Sequence, residues 1–343
     1  MENLKNYLVE LCSESAPSGR EELLTSLERL ALTFADKVTR DPAGNLVCVK
    51  NSGIPGAPRL MLDAHADEIG LVVTGIDDAG FLHFKKHVGL YDNVLPSSTV
   101  TVLGARPLTG VIASTPPHLL KEEDRDKPLR AENMVIDIGY PAEQAKKLVK
   151  VGDYAVLRAS CSELRNRLML GKSFDNRASC AVLLQLMELL RKVRPRYDMY
   201  FVFSAGEEFG GYGAGNAAFT IEPDEAIVLD TTFAVSPFTD DSQGKELGAG
   251  PAIGISPILD THNTEKLIGV ARSRSIPYQI EVMSGRTGTN SDEIMMSRDG
   301  VPTTLISLPL RYMHSAGEIV SLSDMEYAVQ LILNYVEYRG GAQ

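Results

Sequence analysis

The chain has 343 residues and a formal net charge of −11, with 44% hydrophobic and 23% charged residues. That composition excludes wholesale disorder, and the acidic balance argues against a general nucleic-acid or anionic-lipid surface. The length suits two domains or one large one, and the four scattered cysteines, with no CxxC pair, exclude a Cys-rich zinc module and point to a reducing, cytoplasmic setting.

The N-terminus carries no basic-then-apolar leader pattern. No stretch approaches the roughly 18 apolar residues that a membrane span needs. Leu4, Tyr7, Leu8 and Leu11 recur at helical spacing and predict an opening helix. Ser18 with Glu21 reads as a capping box before a second helix, whose apolar face is Leu23, Leu24, Leu27 and Leu30. Strands are expected at 45–49 and 59–62, the second running into Asp63-Ala64-His65-Ala66-Asp67-Glu68. Residues 69–161 change texture: short β-type runs recur between Gly, Asp-Asp and Pro turns, helix is scarce apart from 142–149, and 121–130 reads as an exposed charged loop. This predicts an inserted β-rich module without a large core of its own. Beyond Gly171, strand and helix alternate: helix 177–190, strand 199–203, a Gly-rich turn, strand 226–229, strand 278–282, helix 291–297, strand 303–308 and a C-terminal helix 323–338. The expected architecture is a discontinuous α/β domain, residues 1–68 and 162–343, interrupted by the 69–161 insert.

Functional groups in open α/β sheets gather at the carboxyl ends of strands. Five such places carry metal-ligand residue types: His65 with Asp67, Asp175, Glu207 with Glu208, Asp230, and His314. Each alone has an ordinary structural explanation, Asp175 as a helix cap for example. His83 and His87 lie four apart, but in strand and turn texture, and read as structural, as do His118 and His262. Together, two imidazoles and three carboxylates make the mixed N/O ligand set of a two-metal site, in which one carboxylate commonly bridges. The absence of cysteine from the set favours zinc, cobalt or manganese. If Glu207 and Glu208 continue an extended strand, their side chains diverge. One can then bind metal while the other faces the nucleophilic water as general base.

The order His-x-Asp-Glu-Ile-Gly, Asp-Asn-Arg, Gly-Glu-Glu, a strand-end Asp and Met-His-Ser resembles the M42 family of metallo-aminopeptidases across essentially the whole chain. The resemblance implies a mixed-sheet α/β/α catalytic domain, a PDZ-like dimerisation insert, and dodecamers built from dimers. It implies that His65, Asp175 and Asp230 bind one metal, that Asp175 bridges, and that Glu208 and His314 bind the second. Glu207 would be the general base and Asp67 the residue orienting His65. The implied reaction is hydrolysis of the N-terminal residue of peptides. Two departures from the family pattern, Thr287-Gly288-Thr289-Asn290-Ser291-Asp292 and Gly210-Gly211-Tyr212-Gly213-Ala214, fall in loops expected near the bound side chain, with Arg286 a candidate for binding it.

Other chemistries fit less well. A two-carboxylate glycosidase would leave His65 and His314 without a role, and the chain has no Trp and only 6% aromatic residues. A catalytically idle binding protein has no need of a second carboxylate beside a ligand. A two-metal carboxypeptidase or deacylase shares the ligand set and is separated only by the full-length resemblance.

Overall fold

A computed structural model describes residues 3–87, 89–119, 122, 127–191, 193–237 and 244–337. Two bodies form. The first is a mixed sheet of eleven strands among the described residues, covered by helices on both faces. The second is a closed six-stranded antiparallel barrel, built from Leu71–Ile76, Leu82–Lys86, Met134–Asp137, Pro107–Ser114, Thr99–Leu103 and Tyr154–Leu157.

The sheet's centre is parallel: Asp198–Ser204, Arg59–His65, Glu225–Phe233 and Thr303–Arg311 lie side by side. Helices cover both faces, so these strands are apolar along their length instead of alternating. On one side pack Leu4–Ser13, Thr25–Phe34, Phe174–Leu190, Thr261–Ser273 and Leu322–Glu337; on the other, Tyr212–Ile221 and Ser291–Ile294. Leu4, Tyr7, Leu8 and Leu11 are buried as their spacing predicts. The C-terminal helix begins at Leu322; Tyr338, its expected last residue, lies outside the described residues, as does part of the 121–130 segment.

Several local expectations are corrected. The helix after Ser18 starts at Thr25, after a single 3-10 turn, and the Ser18 hydroxyl donates to the Asp67 carboxylate at 2.6 Å instead of capping. A long-range carboxylate outcompetes the local cap. The strand at 226–229 runs on to Phe233, so Asp230 sits within it, in register with Ser307. The barrel has its own core, including Leu71, Val73, Leu82, Val100, Val102 and Ile136. Closure gives alternating strands a common interior that no single short run reveals. The helix Thr261–Ser273 was missed, although Asp260 caps it by accepting from the Asn263 N–H at 2.7 Å.

Candidate metal centre

Pairing between Arg59–His65 and Glu225–Phe233 ends at Asp63 opposite Val228. Two residues further along each strand stand His65 and Asp230, facing each other across the point where the strands part, with Nε2 and Oδ1 3.9 Å apart. The start of helix Phe174–Leu190 fills that opening. Asn176 Nδ2 donates to the Leu229 carbonyl at 2.8 Å, and Asp175 is carried between the strands, joined to Asn176 by a cis peptide bond.

Asp175 faces two ways. Its Oδ1 lies 3.1 Å from His65 Nε2 and its Oδ2 3.4 Å from His314 Nε2. Glu208 Oε1 is 3.3 Å from the same His314 nitrogen, and Glu207 Oε2 is 3.9 Å from His65 Nε2. Glu207 and Glu208 do not continue the preceding strand; they sit on a 3-10 turn, Glu207–Phe209, entered through Gly206 at φ +67. That left-handed geometry suits glycine, and the Tyr212 ring occupies the space a side chain would need.

The supporting residues are buried. His65 Nδ1 lies 3.2 Å from the Asp67 backbone carbonyl and 3.4 Å from its Oδ1, and the Asp67 carboxylate accepts from the backbone N–H groups of Glu207 and Glu208 at 3.2 and 3.3 Å. One residue therefore aligns the imidazole and anchors the carboxylate turn. Glu318 accepts from Phe174 N at 2.6 Å, Asp175 N at 3.3 Å and His314 N at 2.9 Å, tying the Asp175 loop to the His314 loop. It holds His314 at φ +62, a backbone region costly for a non-glycine residue. Glu68 pairs with Lys172 at 2.6 Å and Arg177 at 3.0 Å, and accepts from Ser173 Oγ. Neither Glu318 nor the role of Glu68 was anticipated. Each acts on residues far away in sequence, and only the run Asp67-Glu68 hinted at a second useful carboxylate.

Charge tests whether cations fit. Five carboxylates (Asp67, Asp175, Glu207, Glu208, Asp230) surround two imidazoles. Burial opposes charge on His65, yet Asp175, Asp67 and Glu207 outweigh it and hold the imidazole well above its ordinary value. Burial likewise opposes His314, but Asp175 and Glu208 raise it to about 11. Burial pushes Glu207 up to about 8 and raises Glu208 and Asp230 as well. Burial would also raise Asp175, but hydrogen bonds to His314 and His65 reverse it and lower it. By itself, then, the chain neutralises this cluster only by taking up protons. Both Nδ1 atoms lie against protein acceptors, Asp67 for His65 and the Gly89 carbonyl, at 3.1 Å, for His314. Donation there directs each Nε2 lone pair at carboxylate oxygens, an arrangement that divalent cations satisfy. Among the described residues, two groups can each hold an ion: His65, Asp175 and Asp230, and Asp175, Glu208 and His314, with donor atoms within 4.8 Å of one another in each group.

The remaining candidates separate. Arg286 turns to solvent and pairs with Asp292 at 3.0 Å and Glu293 at 2.7 Å. It does not line the cavity that opens beside the centre, whereas Thr287, Gly288 and Thr289 do. His83 is exposed on a strand, and His87 is buried edge-on to Phe209, ring centroids 4.8 Å apart, with neither in a donor group.

A parallel-centred sheet with a carboxylate shared between two donor groups at its strand ends defines a metal-dependent hydrolase. Comparison with known proteins narrows this to a peptidase. The model of the M42 glutamyl aminopeptidase family matches residues 44–331, and the chain belongs to that family. A putative aminopeptidase of Acetivibrio thermocellus is 35% identical over 93% of each chain. The crystal structure of a TET aminopeptidase from Thaumarchaeota archaeon SCGC AB-539-E09 superposes with a TM-score of 0.93 at 30% identity, covering 98% of this chain and 97% of that one. A Pyrococcus horikoshii TET1 peptidase that can assemble into a tetrahedron or a large octahedral shell is 33% identical, with a TM-score of 0.86 over 97% of this chain and 99% of that one. No helix among the described residues is long and apolar enough to cross a membrane.

Proposed function

We propose that this metal-dependent peptidase is a two-metal aminopeptidase that removes the N-terminal residue of peptides. The observation that carries the reading is the two-way position of Asp175, one oxygen toward His65 and the other toward His314. On this reading His65, Asp175 and Asp230 hold one divalent cation, and Asp175, Glu208 and His314 the second. The oxygen and imidazole donors suit zinc, cobalt or manganese. A bound pair supplies Lewis acidity at the scissile carbonyl and lowers the pKa of water.

The chain's own residues do the rest. Glu207 completes neither donor group, so its carboxylate is free to take a proton from the attacking water. The water oxygen bonds to the carbonyl carbon, the C–N bond breaks, and Glu207 passes the proton to the leaving nitrogen. Asp67 keeps His65 aligned and fixes the turn that bears Glu207. The excess of carboxylates attracts the free ammonium of a peptide N-terminus. The chain divides, in this proposal, into a catalytic part, 1–68 and 162–343, and a dimerising insert, 69–161. It assembles into a homo-oligomer, a dodecamer built from dimers, which the shell-forming Pyrococcus relative supports. Four unpaired cysteines support a cytoplasmic location.

Matched peptides with free and N-acetylated termini, incubated with metal-loaded and chelator-treated protein, test the reaction. Release of the first residue only from the free peptide, and only with metal, is expected; equal rates on both peptides overturn the aminopeptidase reading. Light scattering of the metal-loaded protein is expected to give a multi-subunit mass, and a monomer rejects the assembly.

A further inference from the structure

The cavity beside the metal centre holds about 350 Å³. Asp175, Glu207 and Asp230 line it, and so do Thr232, Glu281 and Met283. Asp230 and Thr232 are two residues apart on the strand Glu225–Phe233, so their side chains point to the same face, about 7 Å apart along it. The Thr232 hydroxyl donates to Glu281 Oε1, drawing that carboxylate across from the strand Gln279–Val282. Glu281 thereby faces the same cavity as the carboxylates of the metal centre. Met283 and Leu305 give the cavity apolar wall.

Among the described residues the Glu281 carboxylate has no cationic partner: no Lys or Arg lines the cavity and no ion pair involves Glu281. Arg286, the nearest basic residue in sequence, spends its guanidinium on Asp292 and Glu293 outside. A carboxylate in a cavity that also offers Met283 and Leu305 matches a side chain with a methylene stem and a cationic head. An acidic side chain would meet repulsion at the same point.

We infer that Glu281 sets the specificity of the site by receiving the side chain of an N-terminal Lys or Arg, with the stem lying against Met283 and Leu305. The inference rests on the aminopeptidase reading and adds the substrate class to it.

The test compares kcat/KM on Lys-, Leu- and Glu-p-nitroanilide for the metal-loaded full chain and for Glu281→Gln and Glu281→Arg, with metal content measured in each. Wild type is expected to rank Lys first and Glu last. Glu281→Gln should lower the Lys-to-Leu ratio by roughly 10–100-fold, the scale of a charge-assisted contact, and Glu281→Arg should place Glu above Lys. The ratio is the readout because a general loss of folding or metal leaves it unmoved. A wild type that prefers Glu overturns the inference. So does an unchanged ratio in both variants, or an equal fall on all three substrates, which would assign Glu281 to the shared α-amine. If the aminopeptidase reading itself fails, wild type cleaves none of the three, and the inference falls with it.

Discussion

The carbonyl oxygen of Gly89, in the connection leaving a barrel strand, lies 3.1 Å from Nδ1 of His314, in the sheet domain. The inserted barrel thus supplies the acceptor that fixes the ring of one candidate metal-binding histidine, while the sheet domain's own Asp67 does so for the other. Gly89 has φ +92, and a methyl group there would meet His314 Nδ1 at 2.7 Å. Gly89→Ala is therefore expected to weaken the cation held by Glu208 and His314 and to spare the one held by His65 and Asp230. Metal titration should show two sites in wild type and one of them weakened in the variant; two unaltered sites would contradict the arrangement.

Asp175 stands in both donor groups. Asp175→Ala is expected to reduce the metal content from two ions per chain to none, measured by elemental analysis after dialysis. Retention of both ions would remove Asp175 from the centre.

Glu207→Gln keeps the shape of the side chain and discards its ability to accept a proton. Metal content and melting temperature should stay near wild type while turnover falls by ~10²–10⁴-fold, the usual weight of a general base. Turnover close to wild type would take Glu207 out of the mechanism.

Glu68 governs acid stability. Burial alone would raise its carboxyl, but Arg177 and Lys172 overcome this and lower it from 4.5 to about 2. With the folded value below the unfolded one, the stabilisation is fully present above pH 4.5 and is lost as pH falls toward about 2. Glu68→Ala leaves two buried cations without their counter-charge, at a cost of about 3–5 kcal/mol. Melting temperatures of chelator-treated wild type and variant should differ most near neutrality and converge in acid. A gap that is constant with pH would show that the pair contributes no such linkage.

The candidate centre was legible because its residues sit where strands end, and strand ends can be read from apolar runs. His65, Asp175, Glu208, Asp230 and His314 emerged that way, even though Asp230 lies inside a longer strand and Glu207 and Glu208 lie on a 3-10 turn. What stayed hidden acts at long range. Ser18 looked like a helix cap because its actual partner, Asp67, is 49 residues away. Glu318 serves three backbone N–H groups, two of them more than 140 residues distant. The barrel's core could not be inferred from its short strands, since no strand buries anything until the barrel closes.

The strand Asp198–Ser204 lies between Leu46–Lys50 and Arg59–His65, pairing with both. Those two early strands, neighbours in sequence, are held apart in the sheet by one that the ribosome delivers much later. The barrel strands, by contrast, pair only with one another. Domains fold as units as they are synthesised, so a nascent chain can complete its barrel while the strand bearing His65 still awaits its neighbour. On that basis the insert is expected to be finished first, and the three sheet strands that precede it in the gene to be assembled afterwards.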